Sequence, residues 1–280
     1  MKSPITLPEQ KKIIEPLVHK LIAEHRLHPQ EPMIVGIQGG QGTGKSTMSI
    51  MLEESLKSNG FQVHHFSLDD FYTTALKRGI LRKRYSGNAF YEIVRGMPGT
   101  HDLKLLSKVL HSIKLGKPFS LPIFDKSLHD GEGDPISKTI EVRGRQDFVI
   151  FEGWCVGIPT ISSPKFIALC YKYHLDLRSL DPTLKDHKVV LDFITMYQPL
   201  WKMLDYTIML RPPTPAMHKL WRNQAEMELK RKKHEGMSSE QISHFVDVFL
   251  PCTYMCYDLI KPDCLISVND KHTFSKISFV

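Results

Sequence analysis

The chain has 280 residues, of which 41% are hydrophobic and 24% charged, a globular balance that excludes disorder of the whole chain. No apolar run approaches the roughly 20 residues of a membrane helix, and Met1–Pro16 carries lysines without an apolar centre, so no secretory signal is expected. A net charge of +7 and a pI near 9.0 favour anionic partners such as phosphorylated metabolites.

Glu9–Leu27 has helical periodicity through Ile13, Ile14, Leu17, Val18, Leu21 and Ile22, with Pro16 inside it. Met33–Gln38 (MIVGIQ) is a continuous apolar run, as in a strand buried in a parallel sheet. A glycine-rich turn follows, then a helix through Met48, Met51, Leu52 and Leu56 that Asn59–Gly60 stops. Further strands are predicted at Phe61–Leu68, Gln146–Phe151, Tyr206–Leu210 and Cys264–Val268. Helices are predicted at Asp102–Ile113, Lys188–Leu204, Pro215–His234 and Ser238–Val248. The alternation implies βαβ units and an α/β fold. A single domain is expected, with residues 1–31 as an N-terminal helical arm, 71–145 as an irregular substrate-side insertion and 215–250 as a lid with the C-terminal helices.

Five cysteines (Cys155, Cys170, Cys252, Cys256 and Cys264) are odd in number and sparse. They point to reduced thiols in the cytoplasm rather than to a disulfide frame. Fourteen histidines show no zinc spacing. The basic runs Lys77–Arg84 (KRGILRKR) and Lys230–His234 (KRKKH) read as solvated faces. No aromatic–basic interleaving suggests a nucleic-acid partner.

Residues Gly39–Ser46 read GGQGTGKS, which is G-x-x-x-x-G-K-[ST] between a strand and a helix. Glycines let several backbone N–H groups face one concavity, and the dipole of the next helix favours an anion there. The expected nucleotide contacts are Gly39, Gly40, Gln41, Gly42, Thr43, Gly44, Lys45, Ser46 and Thr47. Lys45 can reach the β and γ phosphates, and the Ser46 hydroxyl can ligate Mg²⁺. The motif leaves ATP or GTP, and the phosphoryl acceptor, open.

Asp69 and Asp70 follow the second strand, in SLDDFY. A carboxylate there can accept a hydroxyl proton, hold Mg²⁺ through water, or cap a helix. Glu152 ends the third core strand, where an acid can hold Mg²⁺ or its water shell. The expected metal set is therefore Ser46, Asp69 and Glu152. Arg95–Asp102 (RGMPGTHD) and Phe124–Asp134 (FDKSLHDGEGD) are glycine-rich. With Asp70 and Tyr72 they supply Arg95, His101, Asp125 and Lys126 as candidate acceptor contacts. Arg222, on a helix with Gln224 and Glu226, can offset phosphoryl charge or form a surface salt bridge.

In this order the motifs resemble the P-loop metabolite kinases that include phosphoribulokinase, uridine kinase and pantothenate kinase. The likeness is greatest to the D-glycerate 3-kinase-like branch of plants and fungi. It spans about Ile34 to Pro251 and includes FEGWCVG, WRNQAEMEL and GMSSEQISHFVDVFLP. It implies a three-layer α/β/α fold of P-loop NTPase type, with a mostly parallel five-stranded core and a helical lid. It also implies an ATP·Mg²⁺ site, with Lys45, Asp69 and Arg222 as catalytic residues and Asp69 as the base. The implied activity is transfer of the γ-phosphoryl group to a small metabolite, most simply D-glycerate. Uridine, pantothenate or a sugar as acceptor, or nucleotide binding without phosphotransfer, are the alternatives. One departure bears on the acceptor: GEGDP stands at Gly131–Pro135 where similar proteins carry GEGDR, and Arg143 or Arg145 is the available replacement. Residues 162–185 match poorly.

Overall fold

The computed structural model describes residues 8–214, 216–233 and 238–280. Residues 1–7 of the expected arm, Pro215 at the expected start of the lid helix, and residues 234–237, which end KRKKH and begin the GM motif, lie outside the described residues. In chain order the elements are α1 (Pro8–His25), β1 (Met33–Gly39), α2 (Lys45–Ser58), β2 (Val63–Ser67), α3 (Ala75–Arg84), α4 (Ala89–Glu92) and α5 (Leu103–Lys114). Then come β3 (Phe119–Asp125), β4 (Asp134–Val142), β5 (Phe148–Gly153), α6 (Ser163–Lys172), α7 (Leu177–Leu180) and α8 (His187–Trp201). The chain finishes with β6 (Tyr206–Arg211), α9 (Ala216–Lys233), α10 (Ser239–Leu259), β7 (Cys264–Val268) and β8 (Phe274–Phe279). Among the described residues no helix is long and apolar enough to cross a membrane.

The main sheet has the order β2-β5-β1-β6-β7-β8. Its first five strands are parallel, and β8 closes the edge antiparallel to β7. Alternate residues of β5 go to opposite faces. Val149 and Phe151 pack with α5, α6, α8 and α10, whereas Phe148 and Ile150 pack with α1 and α2. Burial on both faces explains why the core strands read as unbroken apolar runs. Each buried Phe or Ile contributes about 1.5–3 kcal/mol.

The structure departs from the sequence reading in several places. The expected five-stranded core gains β8 as a sixth strand. The segment expected to be irregular holds α3, α4 and a separate β3–β4 hairpin. As expected, α1 runs through Pro16, whose ring sits on the exposed face, where a missing backbone bond costs least. α10 continues past Val248, through Pro251, to Leu259, because Phe249–Tyr257 is an uninterrupted buried stretch. Burial outweighs the roughly 3 kcal/mol that an internal proline costs.

Arg78 corrects the reading of KRGILRKR as a wholly solvated face. It is 1% exposed. Its Nε donates to the Val94 carbonyl at 3.1 Å, and its Nη2 to those of Glu132 and Gly133 at 2.7 and 2.5 Å. Nη1 donates to Thr73. One guanidinium thus ties α3, the RGMPG segment and the hairpin loop together. Arg82 adds an ion pair to Glu132 at 2.6 Å. Just past the poorly matching segment, fully buried His187 joins two of its residues, Asp181, 2.6 Å from Nδ1, and Ser163, 2.7 Å from Nε2, and so clamps the starts of α6 and α8. Arg78→Met should lower stability by about 3 kcal/mol, because it leaves several buried carbonyls without donors. A urea midpoint that falls at constant m-value would show it.

Candidate active site

The parallel register sets the site. Gln38 of β1 lies opposite Gly153 of β5, and Ser67 of β2 opposite Glu152. The carboxyl ends of three adjacent strands therefore open on one side, where ligands bind in such sheets. The chain turns from β1 into α2 through the phosphate-binding loop. Gly44, at φ 88°, caps α2 in the left-handed region that glycine enters at no steric cost.

This loop is held from behind by residues that the sequence reading did not single out. The Gly40 N–H donates to the Tyr257 hydroxyl at 2.9 Å, and His218 Nδ1 donates to the Gln41 carbonyl at 2.9 Å. Tyr257 closes the circuit with a long 3.4 Å contact to His218 Nε2. A carbonyl can only accept, so the proton of the neutral ring sits on Nδ1. Burial pushes the His218 pKa down to about 4, which keeps that ring neutral. His272 donates to the Gly42 carbonyl while its ring stacks on Trp221 at 4.5 Å. A Cβ at Gly40 would stand 2.3 Å from the His218 ring. These partners lie 177 to 230 residues from the loop, so no local spacing announces them.

Within the loop, Lys45 Nζ is 3.2 Å from the Gly40 carbonyl, and the Thr43 hydroxyl donates to the same oxygen at 2.8 Å. The Ser46 hydroxyl donates to Glu152 Oε1 at 2.8 Å. One hydroxyl and one carboxylate side by side are hard oxygen donors. They suit Mg²⁺, which keeps several waters and takes few protein ligands.

Asp69 stands beside them on a short 3-10 turn, Leu68–Phe71. Its Oδ1 accepts from the Tyr72 hydroxyl and its Oδ2 from Lys126, each at 2.8 Å. Burial pushes the Asp69 carboxyl up, but Lys126 and Tyr72 outweigh it and hold the pKa below the usual carboxylate range. Asp70 turns the other way. Its Oδ2 accepts from the Ser67 N–H at 3.0 Å, and together they form a capping box for the turn.

A cleft of about 350 Å³ joins these groups. Among its lining residues are Gln41, Gly42, Lys45, Ser46, Asp69, Tyr72, Arg95, Lys126, Glu152 and Arg222. Arg95 is anchored by the Gly131 and Glu132 carbonyls at 2.6 and 2.9 Å, and its guanidinium lies over Phe124. Helix α9 contributes Arg222, paired with buried Glu226 at 3.0 Å and lying over Phe245. Four of the lining cations (Lys45, Arg95, Lys126 and Arg222) face two carboxylates, Asp69 and Glu152. The excess positive charge suits phosphates and an anionic co-substrate.

Two more of the expected acceptor contacts are not among the residues lining the cleft. His101 is buried, stacks on Tyr72 at 4.6 Å and pairs with the Tyr197 hydroxyl at 2.8 Å. Burial pushes its pKa down to about 4. It therefore braces Tyr72 as a neutral ring. Asp125 accepts from the Ser127 N–H and hydroxyl at 2.9 and 2.6 Å. The replacement considered for the arginine missing from GEGDP does not reach the site. Arg145 is tied to Pro29, Gln30 and Asp147, and Arg143 is exposed beside it; both precede β5, at the edge opposite the cleft. Pro135 pairs with Phe124 within the hairpin. A larger cavity, about 480 Å³, lies behind α10 around the Lys219–Asp247 ion pair, away from the phosphate loop.

The KAP family P-loop domain matches residues 11–246. The uncharacterized kinase mug58 of Schizosaccharomyces pombe is 30% identical over 93% of this chain and 97% of its own length. The chloroplastic D-glycerate 3-kinase of Arabidopsis thaliana is 31% identical over 81% of this chain, which spans 48% of the plant protein. The solved structure of D-glycerate 3-kinase from Cryptococcus neoformans is similar with a TM-score of 0.85 at 28% identity, covering 96% of this chain and 99% of that one. The chain belongs to the P-loop family, among its small-molecule kinases.

The crowding at Gly40 gives a direct test. Gly40→Ala should weaken ATP binding about tenfold or more, because the added methyl must push either the loop or His218. Isothermal calorimetry on folded protein measures it.

Proposed function

We propose that this protein transfers the γ-phosphoryl group of ATP to a hydroxyl of D-glycerate, at its 3-position. The observation that carries the reading is Asp69, set in one cleft with the phosphate loop on one side and Lys126 and Arg95 on the other. The D-glycerate 3-kinases among the similar proteins support the choice of acceptor. Cytoplasmic residence belongs to the same proposal, since the five cysteines are free and buried, as suits a reducing compartment.

In this mechanism the loop amides and Lys45 hold the β and γ phosphates. Ser46 and Glu152 would hold Mg²⁺, which partly neutralises the transferring charge. Asp69 accepts the proton of the acceptor hydroxyl as that oxygen approaches phosphorus, and Tyr72 keeps the carboxylate oriented. Arg95 and Lys126 form charge-assisted hydrogen bonds to the acceptor carboxylate. Arg222, on the lid, stabilises charge spreading over the γ oxygens. The neighbouring apolar rings, Phe245 and Phe249, limit water in the cleft.

Asp69→Asn should retain ATP binding while turnover falls by roughly 10²–10⁴-fold, the usual share of a general base. ADP release measured with D-glycerate, uridine, pantothenate and simple sugars tests the acceptor. D-glycerate should be the preferred substrate; turnover of uridine without any of D-glycerate would reject the assignment.

A further inference from the structure

Asp69 is engaged on both oxygens, and the two partners differ in kind. Tyr72 is buried, stacked on His101 and edge-on to Phe124 at 5.1 Å. Its hydroxyl is a fixed donor on Oδ1. Lys126 follows the end of β3 and its side chain is 57% exposed. Its ammonium rests on Oδ2 at the end of a four-carbon stem with many rotamers. A fixed donor orients a base. A mobile cation on the other oxygen competes with any proton that the base should receive.

The same ammonium lines the acceptor side of the cleft with Arg95. Arg95 is already tied to two backbone carbonyls, so of these two cations Lys126 is the one whose stem is left to swing. An acceptor carboxylate offers Lys126 a second partner of the same charge as Asp69. A neutral alcohol does not.

We propose that Lys126 is a lock on Asp69 that an anionic acceptor opens: the acceptor's carboxylate draws the ammonium away, and Oδ2 is left to take the hydroxyl proton. The inference rests on the reading of Asp69 as the base for an anionic acceptor. It assigns Lys126 a second task beyond holding substrate, which is to keep water from serving as acceptor. In that wasteful reaction the water oxygen bonds to the γ-phosphorus and its proton passes to Asp69. The bond from phosphorus to the β,γ-bridging oxygen breaks, and ADP leaves with inorganic phosphate. An ammonium on Oδ2 withholds the site that this proton needs. Recognition of the acceptor's charge and activation of the base thus become one event.

The test is ADP release from ATP with no acceptor, with glycerol and with D-glycerate, by the wild type and by Lys126→Met, Lys126→Ala and Lys126→Arg. Removing the ammonium should raise the acceptor-free and glycerol rates several-fold while the KM for D-glycerate rises. Lys126→Arg, which keeps a cation beside Asp69, should raise the acceptor-free rate less than Lys126→Met or Lys126→Ala does. Adding Asp69→Asn to Lys126→Met should abolish the gain. An acceptor-free rate that stays level or drops in both Met and Ala variants overturns the lock, whatever happens to D-glycerate; Lys126 is then an anchor alone. The acceptor-free arm uses only ATP and water, so it decides the lock even if D-glycerate proves to be the wrong acceptor.

Discussion

The hydrogen bond from Ser46 to Glu152 joins the first turn of α2 to the end of β5, 106 residues apart in the chain, and the site is arranged around it. It exists because β1 and β5 pair in a register that sets Ile37 against Glu152. A slip of one residue would turn Glu152 into a helix-packed face and move every core side chain of β5 to the opposite layer. The cost of that inversion is what holds the register. The core therefore fixes where hydroxyl and carboxylate meet, and the phosphate loop and the 3-10 turn bearing Asp69 inherit their positions from it.

The segment after that turn is tied to itself and to the core by buried hydrogen bonds. Arg78 satisfies carbonyls from three segments, and the Trp154 indole donates to the Gly96 carbonyl at 2.9 Å. The first contact binds the insertion to itself; the second fastens it to the end of β5. Lys126 and Arg95, which line the cleft, are carried by this segment. A buried guanidinium that donates to four carbonyls is a costly device if broken, and it gives the hairpin loop one defined geometry.

Helix α9 bears on both the phosphate loop and the cleft. His218 and Arg222 are four positions apart on α9, which places them about one turn from each other. His218 fastens a carbonyl of the phosphate loop, and Arg222 faces the cleft. Any movement of α9 therefore changes the backing of the loop and the position of the guanidinium together.

How much of this could be read in advance follows from the range of the interactions. The strands β1 and β5 were legible because burial on both faces demands unbroken apolar runs, and β2, β6 and β7, partly exposed, because apolar residues still dominate or alternate between turn signals. The β3–β4 hairpin and β8 were not: they are half-exposed, and Pro122 and Pro135 interrupt the hairpin's pattern. Asp69 and Asp70 are neighbours of identical chemistry, and only the turn's dihedral angles send one to the cleft and the other to cap Ser67. Linear order was enough for the phosphate loop, since eight consecutive residues and their glycine spacing contain its whole chemistry. The backing by His218, Tyr257 and His272, the seat of Lys126 on Asp69 and the inward turn of His101 came only with tertiary packing, because each depends on groups that the chain separates widely and the closed core brings within hydrogen-bond reach.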